Sequence, residues 1–518
     1  MDTAYDKVTY PSYAHAQTHP DQLATKAMLF GLTPKPVESC RVLELGCGDG
    51  TNLASMALGL PQSQFIGIDL ATNAIAQGQR IVDAIGLKNL SLRAGSVMDI
   101  GPDLGQFDYI IAHGLYSWVP DEVREKILAV AKANLAPQGV AYISYNANPG
   151  GHFKRMIREM MLFHTRGFSD PQERVHQSIA LVKFLAESQT KTEGYRQFLQ
   201  DELEMLLRRD ENNIFHDELG ELNTPFLFHQ FCEDARRHGL QYLAEGDYVQ
   251  MRDHNFAPPV REALRQLGKN RVAREQYLDF VSFRRFRQTL LCHADLPLRF
   301  GMTPEMAGRL HVSCMARPVS ANPDLRSDVA EKFAGDKNAN MEVNLPLAKA
   351  ALVELSEIWP RPMKFTELLA RSRARIGDPA GNESVNDEAL PLFELFLQIY
   401  APGLATLHAS PPVFASAAGE RPIASPLARW QAHTSDRITS FTHCPVVLEN
   451  PTGQHLITLL DGTRDRPALL RETRAFLEAN LAGKKSDSAD QSLPDDSALA
   501  ANLNSTLQVF ARCALLQA

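Results

Sequence analysis

"RVLELGCGDGTNLASMALGLPQSQFIGID", residues 41–69, decides the fold. Its first five residues are an apolar run that reads as a buried strand; glycines spaced G-x-G-x-G then break it, and "NLASMALGL" resumes as a helix stopped at Pro61. "QFIGID" (64–69) is a second strand. Downstream, "ATNAIAQGQRIVDAIG" is a helix closed by Gly86, "LSLRAG" (90–95) a third strand, "FDYIIAH" (107–113) a fourth, "DEVREKILAVAKANL" its helix and "GVAYISY" (139–145) a fifth. Strands alternating with helices at this spacing predict a parallel, doubly wound α/β sheet. Ligands of such sheets sit at the carboxyl ends of the strands.

The glycine turn discriminates between ligands. A dinucleotide fingerprint wants G-x-G-x-x-G, whereas here the third glycine arrives one residue early, at Gly50, and position 51 is threonine. Glu44 ends the strand just before the turn and would repel a pyrophosphate, but it suits a cationic ligand such as a sulfonium with its amino-acid ammonium. Both features oppose a nicotinamide oxidoreductase. Asp69, closing the second strand, is placed to accept from ribose hydroxyls. "GSVMD" puts Ser96 and the backbone of Val97 where an adenine edge would lie, and His113 and Gly114 close the fourth strand. Gly46 and Gly48 let the backbone approach the ligand with no Cβ in the way.

These residues resemble the class I S-adenosylmethionine-dependent methyltransferases, with "VLELGCGDG" as the glycine motif and "FIGIDLA" as the segment of the ribose-binding acid. The resemblance covers about residues 38–150 and 224–296 and implies S-adenosylmethionine as cofactor. The expected cofactor contacts are Glu44, Gly46, Cys47, Gly48 and Asn52 at the turn, Asp69 and Leu70, Ser96 and Val97, and His113. Ser96 stands where many members carry an aspartate. "HGLYSWVP" (113–120) follows the fourth strand, where the acceptor approaches in this superfamily, so Tyr116 and Trp118 are the catalytic candidates, forming an aromatic channel around an amine. The plainer alternative makes Trp118 a core anchor for the helix that follows Pro120.

More of the chain matches a narrower group. "YPSYAHAQTHPDQLATKAMLFGL", "HGLYSWVP" and "YLDFVSFRRFRQTLLCH" are similar to bacterial methyltransferases with a methyltransferase regulatory domain, among them the rickettsial protein lysine methyltransferases. That resemblance implies a lysine acceptor on a bacterial outer-membrane protein, a helical insert that dimerises, and an N-terminal arm covering the cofactor with Tyr10, Thr18 and His19. A small-molecule methyltransferase, and a regulatory protein that binds S-adenosylmethionine without turnover, stay open beside it.

The expected organisation is an arm (1–37), a Rossmann-like domain (38–150 and 223–298), a helical insertion (151–222), and two winged-helix-like α+β modules (299–411 and 412–518). Residues 151–222 are helix-like throughout, and "RRFRQTLLCHA" (284–294) reads as a last, antiparallel edge strand. Residues 321–344 read as a polar connector, 410–426 as a linker, and 482–500 as a mobile loop before a final amphipathic helix.

At 518 residues the chain exceeds a single core. A formal net charge of −8 gives no global drive towards nucleic acid or an anionic membrane, and the only Lys pair of the C-terminal part is Lys484-Lys485. Seven cysteines, odd in number and without a C-x-x-C pair, argue against a disulfide framework or a zinc site. No apolar run reaches the roughly 18 residues of a membrane span. The expectation is a cytoplasmic enzyme with a protein substrate, no nucleic acid, no membrane insertion and no metal.

Overall fold

The computed structural model describes residues 8–189, 192–253, 255–299, 303–335, 339–377, 385–400, 403–483 and 495–518. The Lys484-Lys485 pair and residues 484–494 of the expected 482–500 loop lie outside the described residues. No helix among the described residues is long and apolar enough to cross a membrane.

Helix α1 (Pro20–Leu29) comes first, with Pro20 at its first turn and the His19 side chain accepting from the Asp21 N–H as its cap. Then follow β1 (Arg41–Leu45), α2 (Thr51–Gly59), β2 (Gln64–Asp69), α3 (Thr72–Ile85), β3 (Leu90–Ala94), β4 (Phe107–Ala112), α4 (Asp121–Asn134) and β5 (Leu135–Asn146). Four helices come next, α5 (Gly150–His164), α6 (Pro171–Ser188), α7 (Glu193–Leu207) and α8 (Glu211–Leu219), with no strand among the described residues of the insertion. They have their own core, in which Met161, Val182, Leu199 and Leu206 meet.

The chain returns to the sheet with α9 (Phe228–Arg237), β6 (Leu240–Glu245), α10 (Pro258–Leu267), α11 (Arg271–Ser282) and β7 (Phe286–His293). The strand order is β3-β2-β1-β4-β5-β7-β6, and β7 alone runs against the others. This corrects one expectation: β7 is antiparallel but lies inside the sheet, and β6 is the edge. Successive residues of β1 face opposite layers, as a strand's period of two requires. Val42 packs with Ala24, Leu53 and Val82 from α1, α2 and α3. Leu43 and Leu45 pack with Leu128 of α4 and Phe231 of α9.

Beyond the sheet come α12 (Pro304–Arg309), β8 (His311–Cys314), β9 (Arg317–Pro318), β10 (Glu331–Ala334), β11 (Asn340–Val343), α13 (Pro346–Ile358), β12 (Met363–Lys364), α14 (Phe365–Arg375), α15 (Val385–Tyr400) and β13 (Ala405–His408). The order β12-β8-β13 forms one small antiparallel sheet and β11-β10-β9 another. The expected connector at 321–344 therefore carries two strands: Phe333 is fully buried in β10, an apolar anchor in an otherwise polar stretch.

The last part holds α16 (Pro426–Gln431), β14 (Arg437–Thr439), β15 (Pro445–Val447), α17 (Pro451–Leu459), α18 (Arg466–Gly483) and α19 (Asp496–Arg512) around a core of Ile438, Ile457, Leu469 and Leu507. The latter half of the 410–426 linker belongs to this core, since Ala424 is buried and donates its N–H to the Leu460 carbonyl.

Helix α1 is a rivet between parts. Leu23 and Ala27 enter the core of the large sheet, and Asp21 accepts from the Ser410 N–H at 2.9 Å and sits 2.7 Å from His408 Nδ1 of β13. Burial works against the Asp21 charge, and the neighbouring His408 with these hydrogen bonds outweighs it and keeps the carboxyl below its ordinary value.

Candidate functional site

A cavity of about 1120 Å³ opens at the carboxyl ends of β1, β2, β3 and β4. Its floor is the glycine turn. Gly46, Gly48 and Gly50 all have positive φ, at 71°, 58° and 72°, a region that costs other L-residues strain. A Cβ on Gly50 would also stand 2.6 Å from Leu92.

Asp69 holds this turn from the neighbouring strand. One carboxylate oxygen accepts from the Gly48 N–H at 2.8 Å and the other from the Ala71 N–H at 2.8 Å. Both are charge-assisted bonds to backbone donors.

Glu44 is 4% exposed at the end of β1. Its Oε1 accepts from Asn52 Nδ2 at 2.8 Å, while Oε2 has no hydrogen-bond partner and the residue lines the cavity. Burial, with Asp69 and Asp49 nearby and against the Asn52 bond, pushes the Glu44 carboxyl up to about 8. A buried carboxylate oxygen without a partner is costly unless something cationic meets it. An amino-acid ammonium answers that need.

Of the expected cofactor residues, Tyr10, Glu44, Gly46, Cys47, Gly48, Asn52, Asp69, Leu70, Ser96, Val97 and His113 all line this one cavity. Ser96 caps the short turn at 97–99, its hydroxyl accepting from the Met98 N–H at 3.1 Å. His113 stands with Nδ1 3.0 Å from the Ser144 hydroxyl and 3.2 Å from the Tyr142 hydroxyl. Burial, with His15 beside it, holds its pKa well below the ordinary value, so it is a neutral wall group.

Three expectations are corrected. Thr18 and His19 do not line the cavity: Thr18 lies behind the wall, accepting from Asn52 Nδ2 at 3.1 Å, and His19 is spent as the cap of α1. Tyr116 does not line it either. Its ring is buried in an aromatic packet with Tyr145, Phe226 and Phe231, at centroid distances of 6.1, 5.3 and 5.2 Å. Trp118, by contrast, does line the cavity, and its indole N–H has no hydrogen-bond partner.

The sequence reading missed two contributors. His15 lines the cavity with its ring 4.1 Å from that of His113, and burial lowers its pKa to about 4. Gly78 of α3 touches the turn from behind, where a Cβ would lie 2.1 Å from the Asp49 carbonyl oxygen. A glycine in mid-helix was the available signal for such a close approach.

At its other end the cavity runs into the insertion. Glu202, Asp217, Glu218 and Glu221 line that rim against Lys154, Arg209 and Arg285. Arg209 bonds both Asp217 and Glu218, and Lys154 stands 3.0 Å from Glu218. Four carboxylates against three cations leave the rim net acidic.

Three family descriptions match successive parts of the chain: "Methyltransferase domain" at residues 42–139, "Predicted methyltransferase regulatory domain" at 210–293, and "PKMT, C-terminal winged helix domain" at 420–515. An uncharacterized protein of Rickettsia prowazekii (strain Madrid E) is 34% identical over 483 residues, 92% of this chain and 86% of the relative. PKMT2 from Rickettsia typhi superposes with a TM-score of 0.86 at 28% identity, covering 98% of this chain and 99% of that one. The structure of PKMT2 in complex with AdoHcy matches with the same TM-score and coverage at 29% identity.

Proposed function

The chain belongs to the family of S-adenosylmethionine-dependent methyltransferases that join a methyltransferase domain to a regulatory domain and a PKMT-type winged helix, and we propose that its acceptor is a protein lysine, on a bacterial outer-membrane or surface protein met in the cytoplasm. The observation that carries this reading is the continuity of the cavity from Glu44 and Asp69, past Trp118, to the acidic rim on the insertion. Its volume of about 1120 Å³ exceeds the roughly 1000 Å³ at the upper end of small-ligand pockets, which leaves room for an extended chain beside the cofactor. The likeness to PKMT2 over nearly the whole chain supports the same acceptor class.

S-adenosylmethionine supplies a methyl group on a sulfonium, transferred in line to a nucleophile. The protein's part is alignment. In this proposal Glu44 takes the ammonium end through Oε2, Gly46, Cys47 and Gly48 let it approach the backbone, and Asp69 with Leu70 meets the ribose. Ser96 and Val97 border the adenine, Tyr10 covers the cofactor from the arm, and the rim carboxylates with the Trp118 face draw in a lysine side chain. Burial beside a sulfonium lowers the pKa of that amine, so it can lose its proton without a dedicated base. The homodimer through the insertion belongs to the same proposal and rests on the exposed Phe163, Phe184 and Leu207 there.

The test is incubation with methyl-labelled S-adenosylmethionine and either outer-membrane protein or a metabolite pool, followed by acid hydrolysis. The expected result is label in protein, released as Nε-methyllysine. Label confined to small molecules would replace the acceptor, and cofactor binding without label in either fraction would favour the regulatory reading.

Glu44 makes a separate prediction about the cofactor end. Its pKa of about 8 in the free protein means that it is mostly protonated at neutral pH, and an ammonium against Oε2 would ionise it. Binding of S-adenosylhomocysteine should then release roughly 0.9 proton near pH 7, and affinity should rise about eightfold from pH 6.5 to 7.5. Titration calorimetry in buffers of different ionisation enthalpy reads this directly. Release of no proton would mean that the ligand's cation does not meet Glu44.

A further inference from the structure

We infer that the C-terminal winged-helix domain completes the cofactor site through one side chain, His443, which positions the Asn52–Glu44 pair at the end of β1. This inference rests on the cofactor site alone and does not depend on which acceptor is methylated.

His443 lies between β14 and β15, 391 residues from Asn52, and is 2% exposed. Its φ of 57° is left-handed, within a tight turn in which the His443 N–H donates to the Ser440 carbonyl at 3.0 Å. The side chain makes two hydrogen bonds across the domain border: Nε2 stands 2.8 Å from Asn52 Oδ1 and Nδ1 stands 2.9 Å from the Ser55 hydroxyl. An amide oxygen only accepts, so Nε2 carries the proton and Nδ1 accepts from Ser55. Burial, with His19 and His15 adding to it, holds the imidazole pKa well below its ordinary value. The ring is therefore neutral, in one tautomer and one orientation.

Asn52 passes that orientation on. Its oxygen accepts from His443 and from the His15 N–H at 3.0 Å, and its amide donates to Thr18 Oγ1 at 3.1 Å and to Glu44 Oε1 at 2.8 Å. All four positions of the amide are filled, so it cannot turn without breaking several bonds at once. Glu44 is thus clamped at Oε1, and Oε2 is left for the ligand. The same face of the domain is seated by α16, which packs on α2 and α3, and by Arg437 over the Tyr13 ring at 4.7 Å. Seating of the domain and cofactor affinity are then linked, and the linkage is reciprocal: bound cofactor favours the seated domain by the same factor that seating tightens the cofactor.

The experiment is calorimetric titration of S-adenosylhomocysteine into the full-length protein and three variants. His443→Leu keeps the bulk and removes the donor, and should bind about tenfold more weakly, the worth of one buried hydrogen bond. His443→Gln, whose amide reaches as far as Nε2, should bind within about threefold of the parent. His443→Asn accepts the left-handed backbone but falls short of Asn52, so it should bind as weakly as the leucine variant. The glutamine and asparagine pair keeps the test decisive where the leucine variant melts early. Unchanged affinity in the leucine and asparagine variants, or equal weakness of glutamine and asparagine, would overturn the assignment.

Discussion

Replacing Asp69 by alanine should weaken S-adenosylmethionine binding by at least two orders of magnitude while leaving the fold in place. The carboxylate accepts from two backbone N–H groups, Gly48 and Ala71, each at 2.8 Å. Charge-assisted bonds of this kind are worth about 1.5–3 kcal/mol each, so the loss of both corresponds to roughly a hundredfold or more in the population of the formed turn. The backbone bonds that remain, Gly46 N–H to the Ile68 carbonyl at 2.8 Å and Gly50 N–H to the Cys47 carbonyl at 2.9 Å, must then hold three left-handed glycines, which carry the largest conformational entropy of any residue once released. The contact proposed with the ribose is lost in addition. Asp69→Asn keeps one acceptor and should fall between the parent and Asp69→Ala. Calorimetry with S-adenosylmethionine, beside circular dichroism, measures both halves of the prediction. An alanine variant that binds like the parent would show that the turn is held without Asp69 and would remove it from the cofactor site.

The place of Asp69 at the carboxyl end of β2 was legible in the sequence because it is local to the βαβ unit, whereas its bonds to the Gly48 and Ala71 N–H groups were not. The strand, the glycine turn and the next strand lie within thirty residues of one another, and strand alternation alone places their ends together. The same logic carried β1 to β5 and the helical character of the insertion. It failed where a role is set by distant packing. β7 reads as an edge strand because nothing in "RRFRQTLLCHA" announces that β6, a short strand across two intervening helices, will cover it. Tyr116 and Trp118 sit two residues apart on one short turn, so they point differently. The choice between channel and core needed the positions of Phe226 and Phe231, over a hundred residues on. His443 is the extreme case: a single histidine in an undistinguished loop, made relevant only by how a whole domain docks.

The largest effect on stability is expected at Arg287, on β7, the antiparallel strand beside the sheet edge. Its side chain is fully buried, with the face of Phe228 at 3.7 Å, and it bonds Asp279 twice at 2.8 Å, Glu275 at 3.2 Å and Glu245. Arg284 adds a second cation 2.9 Å from Asp279. Three carboxylates thus face two guanidinium groups in the interior. Burial works against the Arg287 charge, and Glu245 and Asp279 outweigh it and hold its pKa well above the ordinary value. Burial, opposed by Arg287, raises the carboxyls of Glu275 and Asp279.

Removing one partner from such a cluster costs more than the cluster contributes, because the remaining charges stay buried and unpaired. Arg287→Met, similar in volume, should therefore lose about 3–5 kcal/mol. The pH dependence follows in sign from the carboxyls. A carboxyl whose folded pKa lies above its unfolded value binds an extra proton in the folded state between the two, so stability falls as pH rises through that window. Without Arg287 the carboxyls shift further up, so the deficit of the variant should be larger near pH 8 than near pH 5.5. Arg287→Lys should recover little, since a single ammonium cannot reach three carboxylates and the Glu275 carbonyl, all of which the guanidinium bonds. The protein has several cores and need not melt in one step, so the measurement is the first transition of a thermal melt at both pH values, with cofactor binding alongside. Binding should fall with it, because Phe286, the neighbour of Arg287 on β7, lines the cofactor cavity. A variant as stable as the parent at both pH values would overturn the stabilising role of Arg287.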